Sequence, residues 1–156
     1  MNALRTALVV ATLCLGAAGL AAEPDVDSPL LSWVGKYPSD APVAKGGSLL
    51  QQPGLSKILK ALLPASEARH LAEFDSEAPV RRMDDYLVID KCRPHACPAD
   101  AAMIVIDLRS DRVWVGLFTR GAASVATRWY GNRDDWNALP AAIVTDFLKR
   151  HGSIAP

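Results

Sequence analysis

Residues 86–118 read YLVIDKCRPHACPADAAMIVIDLRSDRVWVGLF. Three apolar runs rich in Val and Ile stand here, separated by polar, turn-forming residues, and that spacing predicts antiparallel strands. Ile104, Ile106 and Leu108 alternate along one side of their strand, and Val113, Val115 and Leu117 do the same on the next. The pattern extends outward in both directions. Upstream, PVRRM and YLVIDKC flank Asp84-Asp85; downstream, Gly121-Ala122 leads into SVATRWY. Five strands result, in meander order.

Helical periodicity appears on either side of these strands. In LSKILKALL, Leu55, Ile58, Leu59, Leu62 and Leu63 share one face and Lys57 and Lys60 the other. Pro53 suits a first helical turn and Pro64 ends the helix. ASEARHLAEF forms a second short helix, with Glu67, Arg69 and Glu73 exposed and His70 solvated. PAAIVTDFLKRHG places Ile143, Val144, Phe147 and Leu148 on one face, with Lys149, Arg150 and a solvated His151 in the last turn and Gly152 as the stop. The expected fold class is α+β: a five-stranded antiparallel sheet with helices packed on it.

The chain has 156 residues, 17 basic and 17 acidic side chains, and 50% hydrophobic residues. Its length suits one domain of about 100–150 residues. An ordinary apolar fraction with zero net charge argues against disorder. The same charge balance argues against nucleic acid as the main partner. Residues 1–22, MNALRTALVVATLCLGAAGLAA, carry one charge at Arg5, then an apolar run ending in small residues, the layout of a secretory signal peptide. The competing reading is an uncleaved anchor, but the run from Ala7 to Ala22 is short for a membrane span and no stop-transfer charges follow. Lipid attachment at Cys14 is rejected because Leu13 precedes it, where a small residue is wanted. The expected mature chain is a single domain, 23–156, with no membrane partner after cleavage. Its first part, 23–52, is extended chain and turns anchored by Trp33 and Tyr37.

Cleavage leaves two cysteines, Cys92 and Cys97, with four residues between them. An exported chain with one even pair is most simply read as having one disulfide. So short a ring adds only about 2 kcal/mol by the chain-entropy argument, so its larger effect is stiffness. Pro94 fixes its own φ and pushes Arg93 towards extended backbone. The ring therefore holds a cation and an imidazole, Arg93 and His95, on a rigid protruding tip. Three other chemistries find less support in the sequence. No Gly-x-Ser-x-Gly or His-Glu-x-x-His pattern supports an enzyme. Redox sites use two intervening residues, not four. Cys92, His95 and Cys97 could bind a metal, but export should oxidise both thiols first. No cofactor is implied. Trp114, Trp129, Phe118 and Tyr86 are read as packing residues, and the pairs Asp84-Asp85 and Asp134-Asp135 as turns rather than paired acids.

Cys92-Arg93-Pro94-His95-Ala96-Cys97 resembles the Cys-Lys-Pro-His-Asp-Cys loop of the Ivy family, periplasmic inhibitors of vertebrate c-type lysozyme. The likeness covers residues 85–120, including the strand that ends Gly-Leu-Phe. It implies a non-enzymatic inhibitor whose loop enters the lysozyme cleft, with His95 meeting the two catalytic carboxyl groups. Cys92 and Cys97 match the family's staple, Pro94 its rigid turn, and Arg93 its lysine. Ala96 replaces the family's aspartate and Pro98 the glycine often found there. The missing carboxylate lowers the affinity expected for c-type lysozyme. Lysozyme, the standard retaining glycosidase, flanks its cleft with one protonated and one ionised carboxyl group. An imidazole between them, pushed towards its imidazolium form by the two acids, donates to both, and charge-assisted bonds are roughly twice as strong as neutral ones. The resemblance also admits an envelope protein that binds lytic transglycosylases instead, and allows a homodimer.

Overall fold

The computed structural model describes residues 28–40, 47–97, 99–110, 112–131 and 139–151. Residues 1–22 and the pair Asp134-Asp135 lie outside them. Two single turns of 3-10 helix, Pro29–Trp33 and Leu49–Gln51, precede helix α1 (Pro53–Leu62) and helix α2 (Ala65–Ala72). Strands β1 (Ser76–Glu77), β2 (Arg81–Met83), β3 (Tyr86–Cys92), β4 (Asp100–Asp107), β5 (Val113–Arg120) and β6 (Val125–Gly131) follow, then helix α3 (Ala141–His151). The class is α+β, as expected.

All strand pairs are antiparallel, in the order β1-β3-β4-β5-β6, and β2 also pairs with β3. The sheet therefore has six strands rather than five. The addition is the short β1, which places Ser76 opposite Cys92. β1 and β2 share one edge of β3, interrupted where Pro79 has no N–H to give to a ladder.

Both faces of the sheet are covered. Every residue of β4 is buried, because Ala101–Ile106 contains no polar side chain to turn to water. Leu87, Ile89, Ile104, Ile106, Val115 and Leu117 face α1, α2 and the N-terminal turns. Val88, Met103, Val105, Trp114 and Phe118 face α3 through Ile143 and Phe147. Gly116 is needed on this second face: a Cβ there would lie 2.7 Å from the Trp129 indole, which packs edge-on against Phe147. The four aromatic residues read as packing groups do pack, Trp114 and Phe118 fully and Tyr86 and Trp129 in part.

The helices hold the expected faces. Leu55, Leu59 and Leu63 of the first stretch are buried, with Lys57 and Lys60 outside. Leu63 is extended, as a residue before proline prefers, so α1 ends where Pro64 begins the next helix. Two surface expectations fail. Glu67 is half-buried, because Arg128 on β6 donates to it from Nε (2.6 Å) and Nη2 (3.3 Å), and Tyr130 adds its hydroxyl at 3.2 Å. The Arg128 hydrogen bond holds the Glu67 carboxyl below its ordinary pKa, against the opposing effect of burial. In the N-terminal segment Trp33 is buried but Tyr37 is 47% exposed, so the anchoring falls to the indole and to Leu49 rather than to the tyrosine. The turns there take the form of short 3-10 helix at Pro29–Trp33 and Leu49–Gln51.

An ion cluster fastens α3 to the β2–β3 edge. Arg81 reaches Asp90 at 3.0 Å and Asp146 at 2.8 Å, while Arg150 reaches Asp90 at 2.7 Å and also pairs with Asp146. One Asp90 oxygen, Oδ1, is buried without a hydrogen-bond partner among the described residues. Burial, opposed by Arg81 and reinforced by Asp146, pushes the Asp90 carboxyl up to about 6. A carboxyl raised in the folded state stabilises the fold while protonated and loses that contribution as pH rises through its folded value. The Asp90 contribution to stability should therefore fall between pH 4 and 6 by at most about 3 kcal/mol, and Asp90→Asn should remove that component of the pH dependence. Urea unfolding of both proteins across this range is the measurement; identical slopes would contradict the assignment.

Candidate functional site

The β3–β4 connection carries the residues singled out from the sequence. Cys92 closes β3 opposite Ala101, and the ladder runs one step further, with the Arg93 N–H donating to the Asp100 carbonyl at 3.0 Å. Between these stems the chain turns tightly. The Ala96 N–H donates to the Arg93 carbonyl at 3.0 Å, with Pro94 and His95 as the two central residues. The Ala96 carbonyl then accepts from the N–H groups of Ala99 (2.7 Å) and Asp100 (2.8 Å), which returns the chain to the sheet. A disulfide joins Cys92 to Cys97 across the turn, with the Cα atoms 4.8 Å apart. It consumes the thiolates that a metal or redox site at Cys92, His95 and Cys97 would need.

His95 is exposed, as the outward-facing tip requires, and its φ is +63°. Proline at the second position and positive φ at the third make the pattern of a type II turn, in which glycine or asparagine usually fills the third place. A histidine there costs about 1 kcal/mol or more of backbone energy. Its ring does not stack on an aromatic side chain among the described residues, unlike those of His70 and His151. The side chain is thus held away from the body at some expense in stability. Pro94 and Ala96 are half-buried beneath it, and Cys97 is exposed.

Arg93 is placed differently from the expectation of a cation at the tip. Its guanidinium bends back to the stem, where Nη2 donates to Glu73 at 2.6 Å and Nε lies 2.9 Å from Asp100. The cause is electrostatic: α2 and the start of β4 present two carboxylates on that side. The other two histidines also depart from the solvated reading. His70 is half-buried, edge-on to Phe74 at 4.9 Å, and 2.9 Å from Asp100. His151 lies against Phe118 and Phe147 at 4.9 and 4.5 Å, and burial, with nearby Arg120 second, pushes its pKa down. Sequence offered a partial signal for one of these. His70 and Glu73 stand three apart on one helical face, the spacing at which side chains meet a common partner.

The β5–β6 hairpin supports the loop from the side, where the Arg120 N–H donates to the Ala99 carbonyl at 2.6 Å. The arrangement is an outward imidazole on a cross-linked, doubly stemmed turn, with no nucleophile-and-base pair among the loop's own residues.

Comparison with protein families matches residues 54–152 to the family described as inhibitor of vertebrate lysozyme (Ivy). The match spans both helices before the sheet, every strand and α3. No curated protein and no solved structure matches the chain.

Because the left-handed backbone at His95 carries a penalty that glycine avoids, His95→Gly should unfold at the same or a slightly higher urea concentration, by up to about 1 kcal/mol. A clear loss of stability would mean that the imidazole supports the fold.

Proposed function

From the premise that this chain belongs to the family of inhibitors of vertebrate lysozyme, we propose that it blocks c-type lysozyme by inserting the loop Cys92–Cys97 into the catalytic cleft. The observation that carries this reading is the exposed His95 held at positive φ on the tip of a disulfide-closed turn. Backbone strain retained at an exposed side chain is characteristic of residues shaped for contact with something else.

The physical sequence is short. A cleft that hydrolyses glycosides holds one protonated and one ionised carboxyl group. The imidazole presents two ring nitrogens on opposite sides, so it reaches both groups at once. Charge-assisted hydrogen bonds in a water-poor cleft are the strong kind. Pro94, the disulfide and the stem pairs order the loop before it binds, which avoids part of the usual ordering cost of about 0.5–1.5 kcal/mol per side chain. Cys92 and Cys97 hold the ring closed, Arg93 secures its stem, and Ala96 flanks the histidine where the resembled family has aspartate. No bond is made or broken. Inhibition is occupancy alone.

In this reading residues 1–22 direct export and the inhibitor acts in the periplasm, on lysozyme that reaches the peptidoglycan. A lytic transglycosylase, which also cleaves peptidoglycan at an acidic cleft, is the alternative target. Parallel inhibition assays separate the two: inhibition of lysozyme supports the proposal, and inhibition of the transglycosylase alone moves the target.

His95→Ala should weaken lysozyme inhibition by about 2–4 kcal/mol, or roughly thirty- to several-hundred-fold, as removal of a central anchor does. Equal potency of the two proteins would end the key-in-cleft mechanism. Ala96→Asp should strengthen inhibition by restoring an acceptor beside the histidine, measured by titration against the same lysozyme.

A further inference from the structure

We propose that His70, on α2, is a positioning residue for the His95 loop, a role that rests on the inhibitory reading above for its purpose but not for its geometry. The loop leaves the sheet at Arg93 and returns at Asp100. One imidazole touches both: Nε2 lies 2.9 Å from Asp100 Oδ1, and Nδ1 lies 3.4 Å from Arg93 Nη2. The chemistry of the partners assigns the ring. A guanidinium only donates and a carboxylate only accepts. Nδ1 therefore accepts from Arg93, and Nε2–H donates to Asp100.

The rest of the cluster makes this bridge consequential. Asp100 is 8% exposed, so its carboxylate depends on protein partners rather than water. Arg93 Nε stands 2.9 Å from Asp100 Oδ2 without the alignment of a hydrogen bond, which leaves His70, among the described residues, as the aligned side-chain donor to that carboxylate. Arg93 Nη2 is shared with Glu73, the C-cap of α2, three residues after His70. His70 of α2 and the Glu73 that caps its C-terminus thus hold the base of the loop, while the disulfide closes the loop just above it. The two constraints differ in what they fix. The disulfide sets the ring's internal shape; the α2 contacts set its angle to the sheet. A key whose shape is right but whose angle wanders fits its cleft poorly, since small misplacements of a binding group cost disproportionately.

A role in packing alone is the competing explanation, because the His70 ring also meets Phe74 edge-on. Two substitutions separate them. His70→Gln keeps a donor and an acceptor but gives up the ring; His70→Phe keeps the ring but removes both polar contacts. Amide hydrogen exchange at Ala96 and Asp100 reads the loop base without any target, and lysozyme inhibition reads its consequence. The expectation is about tenfold faster exchange and about tenfold weaker inhibition for His70→Phe, with His70→Gln close to the parent protein in both. Parent-like behaviour of His70→Phe would overturn the proposal, as would a His70→Gln protein as impaired as His70→Phe. If the parent protein inhibits no lysozyme while the exchange pattern holds, the loop-positioning role stands and the proposed target falls.

Discussion

The antiparallel pairing of β3 with β4 is the constraint on which the rest of the molecule depends. Its seven-residue register puts Leu87 and Ile89 in one core and Val88 in the other, and it brings Cys92 opposite Ala101 at the end of the ladder. A slip of one residue would exchange the two faces and separate the cysteine from the turn it closes. The buried length of β4 prevents that slip, since all eight of its residues would have to be repacked. Core and loop are therefore specified together. The exposed tip inherits its rigidity from the most buried strand in the molecule.

Among the described non-glycine residues, positive φ occurs at two exposed turn positions, Asp84 and His95. His95 occupies a backbone region better suited to glycine, and the short ring around it contributes little to global stability. Elsewhere the polar groups are drawn inward into pairs. Glu67 with Arg128, Asp100 with His70 and Arg93, and Asp90 with Arg81 and Arg150 each join a helix or edge to the sheet. These contacts add specificity of placement more than energy, because the desolvation of each charge offsets much of its attraction. Their value lies in orientation: they determine how α2 and α3 lie on the two faces, and through α2 how the loop leaves the sheet.

Much of this was legible in one dimension. The three helices follow from apolar spacing and from Pro53, Pro64 and the run AAIVTDFLKRH, the hairpins from Val- and Ile-rich runs parted by short turns, and the outward loop from two cysteines flanking a proline. What escaped has one common property. His70 meets Asp100 across 30 residues, Glu67 meets Arg128 across 61, and Arg81 meets Asp146 across 65. Local periodicity carries no record of such pairs. Arg93 belongs with them: its charge is plain in the sequence, yet its direction depends on carboxylates supplied by α2 and β4.

The sequence by itself determined which segments are helix and strand, that the strands form a meander, and that Cys92 and Cys97 bracket a stiff turn bearing His95. Those are consequences of local sterics and of apolar period, and both act over a few residues. Only the tertiary structure decided that the sheet is buried on both faces, that β1 extends its edge, and that His70, Glu73 and Asp100 gather around Arg93 beneath the tip. Long polar side chains have many rotamers and no preferred neighbour in the chain, so their partners are chosen only when packing brings distant carboxylates and cations within a few ångströms.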